Sequence, residues 1–115
     1  MAWALPQEEV SRGFQKYGFK AGFLKLVVLK LIARGPTHGY ALIKEIEKAT
    51  DAEWSPSPGS IYPALQELEV DGLIEVHNEG RRRMYAITSK GQETLKQSLE
   101  HASEAMRHLT KLLAI

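Results

Sequence analysis

The spacing of apolar residues changes along this chain, and that change constrains the fold more than any other feature of the sequence. Helical spacing governs residues 21–72, alternation governs residues 73–88, and a 4, 3 spacing runs through the remainder. Residues 21–34 are apolar nearly all round, which describes a helix buried on most sides, and Gly35 and Pro36 end it. A second helix is expected with Thr37 as its N-cap and an apolar stripe of Leu42, Ile43, Ile46 and Ala49; Tyr40 lies off that stripe. Residues 51–59, containing Trp54, Pro56 and Pro58, form a turn rich in helix breakers. A third helix carries Ile61, Ala64, Leu65 and Leu68 on one face and stops at Gly72. Its start reads two ways. Ser57 as cap puts Pro58 at the first helical position and strands Pro63 in the interior, whereas Ser60 as cap puts Pro63 in the first turn, where no donor is needed. We favour an irregular or tight first turn that settles into regular helix by Ala64.

The alternating stretch holds two strands. Residues 73–77 set Ile74 and Val76 against Glu75 and His77, and residues 83–88 place Tyr85 and Ile87 on one face. Asn78, Glu79 and Gly80 are expected to join the strands as a hairpin. Ser89 with Gln92 reads as a capping box that opens a final helix. In that helix Leu95, Leu99, Ala102, Met106, Leu109 and Leu113 form a heptad seam. The fold class is therefore mainly α with a small β-hairpin: a winged helix-turn-helix followed by a long helix. Three regions are expected: an N-terminal arm over residues 1–20 with Trp3, Phe14 and Tyr17, a DNA-binding unit over 21–88, and a dimerisation helix over 89–115.

Composition narrows the function classes. With 115 residues, 43% of them hydrophobic and 25% charged, the chain has the composition of one globular domain rather than of a disordered segment. It has no cysteine, which excludes disulfides and thiolate chemistry, and no signal-peptide pattern or apolar run long enough to span a membrane, so a cytoplasmic location is expected. The net charge of +1 says little by itself. Its distribution says more: residues 57–79 hold five acids and no base, and residues 80–91 then hold Arg81, Arg82, Arg83 and Lys90 with no acid.

In a winged helix the third helix enters the major groove and the basic hairpin tip reaches backbone or minor groove. Opposite the apolar stripe of the third helix lie Gly59, Tyr62, Pro63 and Gln66. Gln66 can bond bidentately to an adenine edge, Ser60 can reach phosphate or base, Tyr62 offers a hydroxyl and an apolar ring, and Gly59 permits close approach. Glu67, Glu69 and Asp71 make the later half of that helix acidic, so only its N-terminal half is expected to touch phosphates. Along the second strand, alternation points Arg81 and Arg83 one way and Arg82 the other, so one of the three can be structural.

Several stretches of the sequence resemble the PadR family of transcriptional regulators. They are His38-Gly39-Tyr40; the run from Ser57 through Pro58, Gly59, Ser60, Ile61, Tyr62, Pro63 and Ala64 to Leu65, with Leu68 and Gly72-Leu73-Ile74 after it; and Gly80-Arg81-Arg82-Arg83, with Tyr85-Ala86-Ile87-Thr88 and Lys90-Gly91 beyond. The Tyr62-Pro63 pair inside the third helix is the most telling element and accounts for a proline that general helix rules count against. The resemblance implies a homodimeric, repressor-type regulator whose DNA contacts fall on Tyr40, Ser57, Ser60, Tyr62, Pro63 and the arginines of the hairpin. Some short members of that family bind flat aromatic compounds at the dimer interface through a tryptophan in the last helix. Here the stretch after Tyr85 holds no Trp, Tyr or Phe, so that role is not expected, and Trp3 and Trp54 are assigned to packing.

An enzyme is the first rival reading. The four histidines, His38, His77, His101 and His108, form no pair or cluster with metal-ligand spacing, and the glycines match no nucleotide-binding loop, so no catalytic residue, cofactor or metal is expected. The second rival is a winged helix used for protein or RNA contacts; it lacks the exposed aromatic runs that favour RNA. The partners expected are double-stranded DNA and a second copy of the chain. The sequence names no effector ligand.

Overall fold

The computed structural model describes residues 19–115. Trp3, Phe14 and Tyr17 of the expected arm lie outside the described residues. Among the described residues the order is α1 (Phe19–Ile32), α2 (Gly39–Ala49), α3 (Pro58–Val70), β1 (Ile74–Glu79), β2 (Arg82–Ile87) and α4 (Ser89–Leu113). This is the mainly helical winged plan with one antiparallel hairpin and a C-terminal helix that the apolar spacing predicts.

The core lies where α1 crosses α3, and α2, the hairpin and the first turns of α4 close around it. Val28 and Ile32 of α1, Leu42 of α2, and Ile61 and Leu65 of α3 are fully buried, so each helix inserts its apolar face into one shared centre. Burying side chains of this size contributes about 1.5–3 kcal/mol each, which makes this centre the main source of stability. Tyr85 of β2 joins the same core, and its backbone forms a two-way bridge to Thr37, at 2.7 and 3.1 Å, that ties the hairpin to the start of α2.

That bridge corrects the expected cap of α2. Thr37 is occupied in strand-like pairing, and the N-cap is His38, whose Nδ1 accepts a hydrogen bond from the Ala41 amide at 3.2 Å. Helix α3 begins at Pro58 with Ser57 at the N-cap position, so Pro63 does sit inside it. The first turn is tight, as expected: both the Ser60 and the Ile61 amides donate to the Ser57 carbonyl, at 2.9 and 3.0 Å. The helix nevertheless includes residues 58–63 and does not wait for Ala64, because Pro63 leaves only the exposed Gly59 carbonyl without its helical donor. The C-terminus closes with the Leu73 amide on the Leu68 carbonyl and the Gly72 amide on the Glu69 carbonyl, an αL stop with Gly72 at φ +76.

The hairpin is longer and tighter than expected. Asn78 and Glu79 belong to β1, where they pair with Arg83 and Arg82, and the loop is only Gly80 and Arg81. A two-residue loop with φ of +61 at its first position demands glycine there, and Gly80 supplies it. The cap of α4 is also one residue earlier than the Ser89–Gln92 box suggests. Thr88 accepts from the Gly91 amide at 3.0 Å and donates to the Gly72 carbonyl at 2.7 Å, so one hydroxyl caps α4 and fastens the end of α3. Trp54 packs against the core and stacks on Phe23, with ring centroids 5.5 Å apart.

Candidate nucleic-acid interface

The start of α2, the second turn of α3 and the hairpin tip wall one cleft of about 440 Å³, lined by His38, Gly39, Tyr40, Tyr62, Arg81, Arg82 and Arg83. Tyr40 is held off the core by its position on α2 and is 62% exposed, with the Lys44 ammonium 5.4 Å from its ring centre. Tyr62 lies with its phenol end against Gly39 and keeps 48% of its surface exposed. It is thus both packed across α2 and open to the cleft.

Strand alternation sets Arg82 apart from Arg83, but Arg81 lies in the two-residue loop, outside the strand, so alternation does not place it with Arg83 as expected. Arg83 shares a face with the buried Tyr85, and its guanidinium reaches back to Glu69 of α3 at 3.9 Å. Arg81 at the tip and Arg82 beside it form no ion pair among the described residues, so their charge is available to an outside anion. Burial raises the pKa of Tyr85 above its usual value of 10.0, against the opposing pull of the Arg83 charge.

A second groove of about 600 Å³ runs between α3 and β2, lined by Tyr62, Pro63, Gln66, Glu69, Val70, Arg83 and Tyr85. Gln66 is exposed in it, beside Tyr62. Ser57, Gly59 and Ser60 are exposed too, but they lie on the other flank of α3, where with Pro63 they border a cleft of about 710 Å³ shared with Leu24, Lys25 and Trp54. The sequence-selected residues of α3 therefore form one continuous band across its N-terminal half, in which Tyr62 shares a cleft with Tyr40 and the three arginines while Pro63 and Gln66 share a groove with Arg83.

Two features escape the sequence reading. His38 lines the cleft, although the sequence offers Thr37 as the more usual cap and so gives His38 no role. The acids of α3 are also less repulsive than their number suggests. Glu67 pairs with Lys25 of α1 at 3.1 Å and Glu69 pairs with Arg83, while Lys90 reaches the Asp71 carbonyl at 2.7 Å. Each of these cations is distant in sequence from its partner, so only the fold brings them together.

On α4, Leu95 is buried and Leu99 and Ala102 are partly covered by the domain. Beyond them the seam stands in the open: Met106 is 70% exposed, Leu109 55% and Leu113 76%. No helix among the described residues is long and apolar enough to cross a membrane.

Residues 28–97 match the family model described as the transcriptional regulator PadR-like family. The transcriptional regulator YqjI of Escherichia coli is 41% identical over 83 residues, which cover 71% of this chain and 40% of that protein. The chain thus matches less than half the length of that relative. A transcriptional regulator from Clostridium thermocellum superimposes with a TM-score of 0.72 at 29% identity, covering 78% of this chain and 92% of the other. PadR of Bacillus subtilis, solved in complex with operator DNA, superimposes with a TM-score of 0.57 at 27% identity over 66% of this chain and 46% of the other. With the family model spanning the core helices, the hairpin and the start of α4, this chain belongs to the PadR-like family of transcriptional regulators.

Proposed function

We propose that the chain is a sequence-specific, double-stranded DNA-binding regulator that acts as a homodimer and represses by occupying its site. The observation that carries this reading is the convergence on one cleft, beside the exposed N-terminal band of α3, of two exposed tyrosines and two arginines that form no ion pair among the described residues. Arg81 and Arg82 neutralise phosphate, Tyr40 and Ser57 fix register on the backbone, and Gln66 and Tyr62 read base edges while Gly59, Ser60 and Pro63 allow close approach. The similarity to a PadR solved with operator DNA supports this assignment of partner.

Dimerisation follows from the open seam on α4. Leucines and a methionine exposed at heptad spacing are stable in water when a second copy covers them, and the covering surface that matches is the same seam. A two-fold pair would present two α3 helices to half-sites about 34–36 Å apart, one helical turn. Selection from random duplexes followed by Gln66→Ala tests the reader assignment. The variant should relax preference at particular base pairs by about 1–3 kcal/mol. Uniform weakening with preference intact would move Gln66 from the bases to the backbone.

A further inference from the structure

We infer that Gly39 is a positioning residue for DNA reading, acting through Tyr62, an inference that rests on the DNA-binding role proposed for this cleft. Gly39 is the first residue of α2 and is buried. Its φ is not in the left-handed region, so the backbone there does not need glycine, and alanine is the better helix former. What the position does need is room. A methyl group on Gly39 would meet Cε1, Cζ and Oη of Tyr62 at 2.8, 2.8 and 2.9 Å, closer than side-chain methyls pack. The missing side chain is therefore the seat on which the Tyr62 phenol rests.

The seat matters because of what the ring separates. Tyr62 lines both the cleft that holds Arg81 and Arg82 and the groove that holds Gln66. With Arg83 it forms the wall shared by the arginines assigned to phosphate and by Gln66, which is assigned with Tyr62 itself to bases. Its place sets how far the duplex can settle toward Gln66 once the hairpin has engaged. If Gly39 gained a methyl, the ring would be the part to move. Gly39 is held by the His38 cap and by the Leu42 amide on the His38 carbonyl at 3.1 Å, whereas Tyr62 is half exposed and free to turn on its own side-chain bonds. The displaced ring would then stand in the cleft or the groove, leaving the core intact.

The test is a double-mutant cycle read by duplex binding. The full chain and its Gly39→Ala, Tyr62→Ala and doubly substituted variants are titrated against the duplex the wild type selects and against an unrelated one. Gly39→Ala should lower affinity for the selected duplex about tenfold and barely change the unrelated one. In the Tyr62→Ala background the same substitution should change neither, because nothing is left to collide with the methyl. Equal losses in both backgrounds, or no loss with Tyr62 present, overturn the inference. A wild type that binds no duplex instead removes the DNA-binding reading, and shows as a failed control rather than a failed cycle. Should Gly39→Ala not fold, NMR of wild type and Tyr62→Ala decides: the ring should shift the Gly39 α-protons upfield and its removal should return them, and the absence of that shift overturns the seat.

Discussion

Single residues here tend to serve two elements at once. The Thr88 hydroxyl caps α4 while holding the end of α3, His38 caps α2 while lining the cleft, and Arg83 belongs to the hairpin while reaching α3. Tyr85 is the residue where such sharing has a pH signature. Burial of the side chain raises the pKa of its hydroxyl, so the neutral form is favoured in the folded state relative to the unfolded one. The sign follows from linkage. The contribution is fully present below the unfolded pKa near 10.0 and is lost as pH rises through the folded one, because the unfolded chain then releases its proton more readily. Stability should thus fall above about pH 10 beyond what other groups cause, and Tyr85→Phe, which keeps the ring in the core, should flatten that fall. Parallel alkaline profiles for the two proteins in denaturant titrations would remove Tyr85 as its source.

Elements were legible wherever apolar residues carried a period. Leu42, Ile43 and Ile46 and the stripe of Ile61, Ala64, Leu65 and Leu68 turned inward as spacing predicts, Ala49 at the end of the first stripe is exposed instead, and alternation separated Arg83 from Arg82. The junctions were not legible, since they depend on contacts made across the fold. Thr37 looks like a cap until Tyr85 takes its backbone, and Ser89 looks like one until Gly72 offers Thr88 a carbonyl. The same is true of charge: three acids on α3 read as a repulsive face, yet Lys25 and Arg83 meet two of them. The α3–α4 junction gives a sharp stability test. A methyl group on Gly91 would overlap the Leu73 carbonyl oxygen and crowd Ile87, so Gly91→Ala should destabilise by about 1–3 kcal/mol or more, read as a lowered denaturation midpoint. An unchanged midpoint would mean that α4 can slide away from the hairpin at no cost. The hairpin gives a functional one. Replacing Arg81, Arg82 and Arg83 together by alanine should weaken binding to all duplexes and flatten its salt dependence by about one phosphate contact per arginine engaged. Binding unchanged at every salt concentration would leave the hairpin without a role.

At the scale of the whole molecule the most extended element is α4, whose 25 residues reach about 37 Å. The domain covers the start of that helix at Leu95 and leaves Met106, Leu109 and Leu113 open, and these are the residues through which the proposed dimer would form. Changing Leu99 and Met106 together to aspartate should place uncompensated charge in that seam and split a dimer into folded monomers. A wild type that sediments as a monomer beside the variant would contradict the dimer. The central claim, a dimeric reader of duplex sequence, meets its most direct test in equilibrium binding of the full chain to a duplex selected from random sequence, followed as salt is raised. The account predicts saturation at two chains per duplex, an affinity that falls log-linearly with salt, and a preference of at least about 10³ over an unrelated duplex. Equal affinity for selected and unrelated duplexes, or binding indifferent to salt, would contradict it.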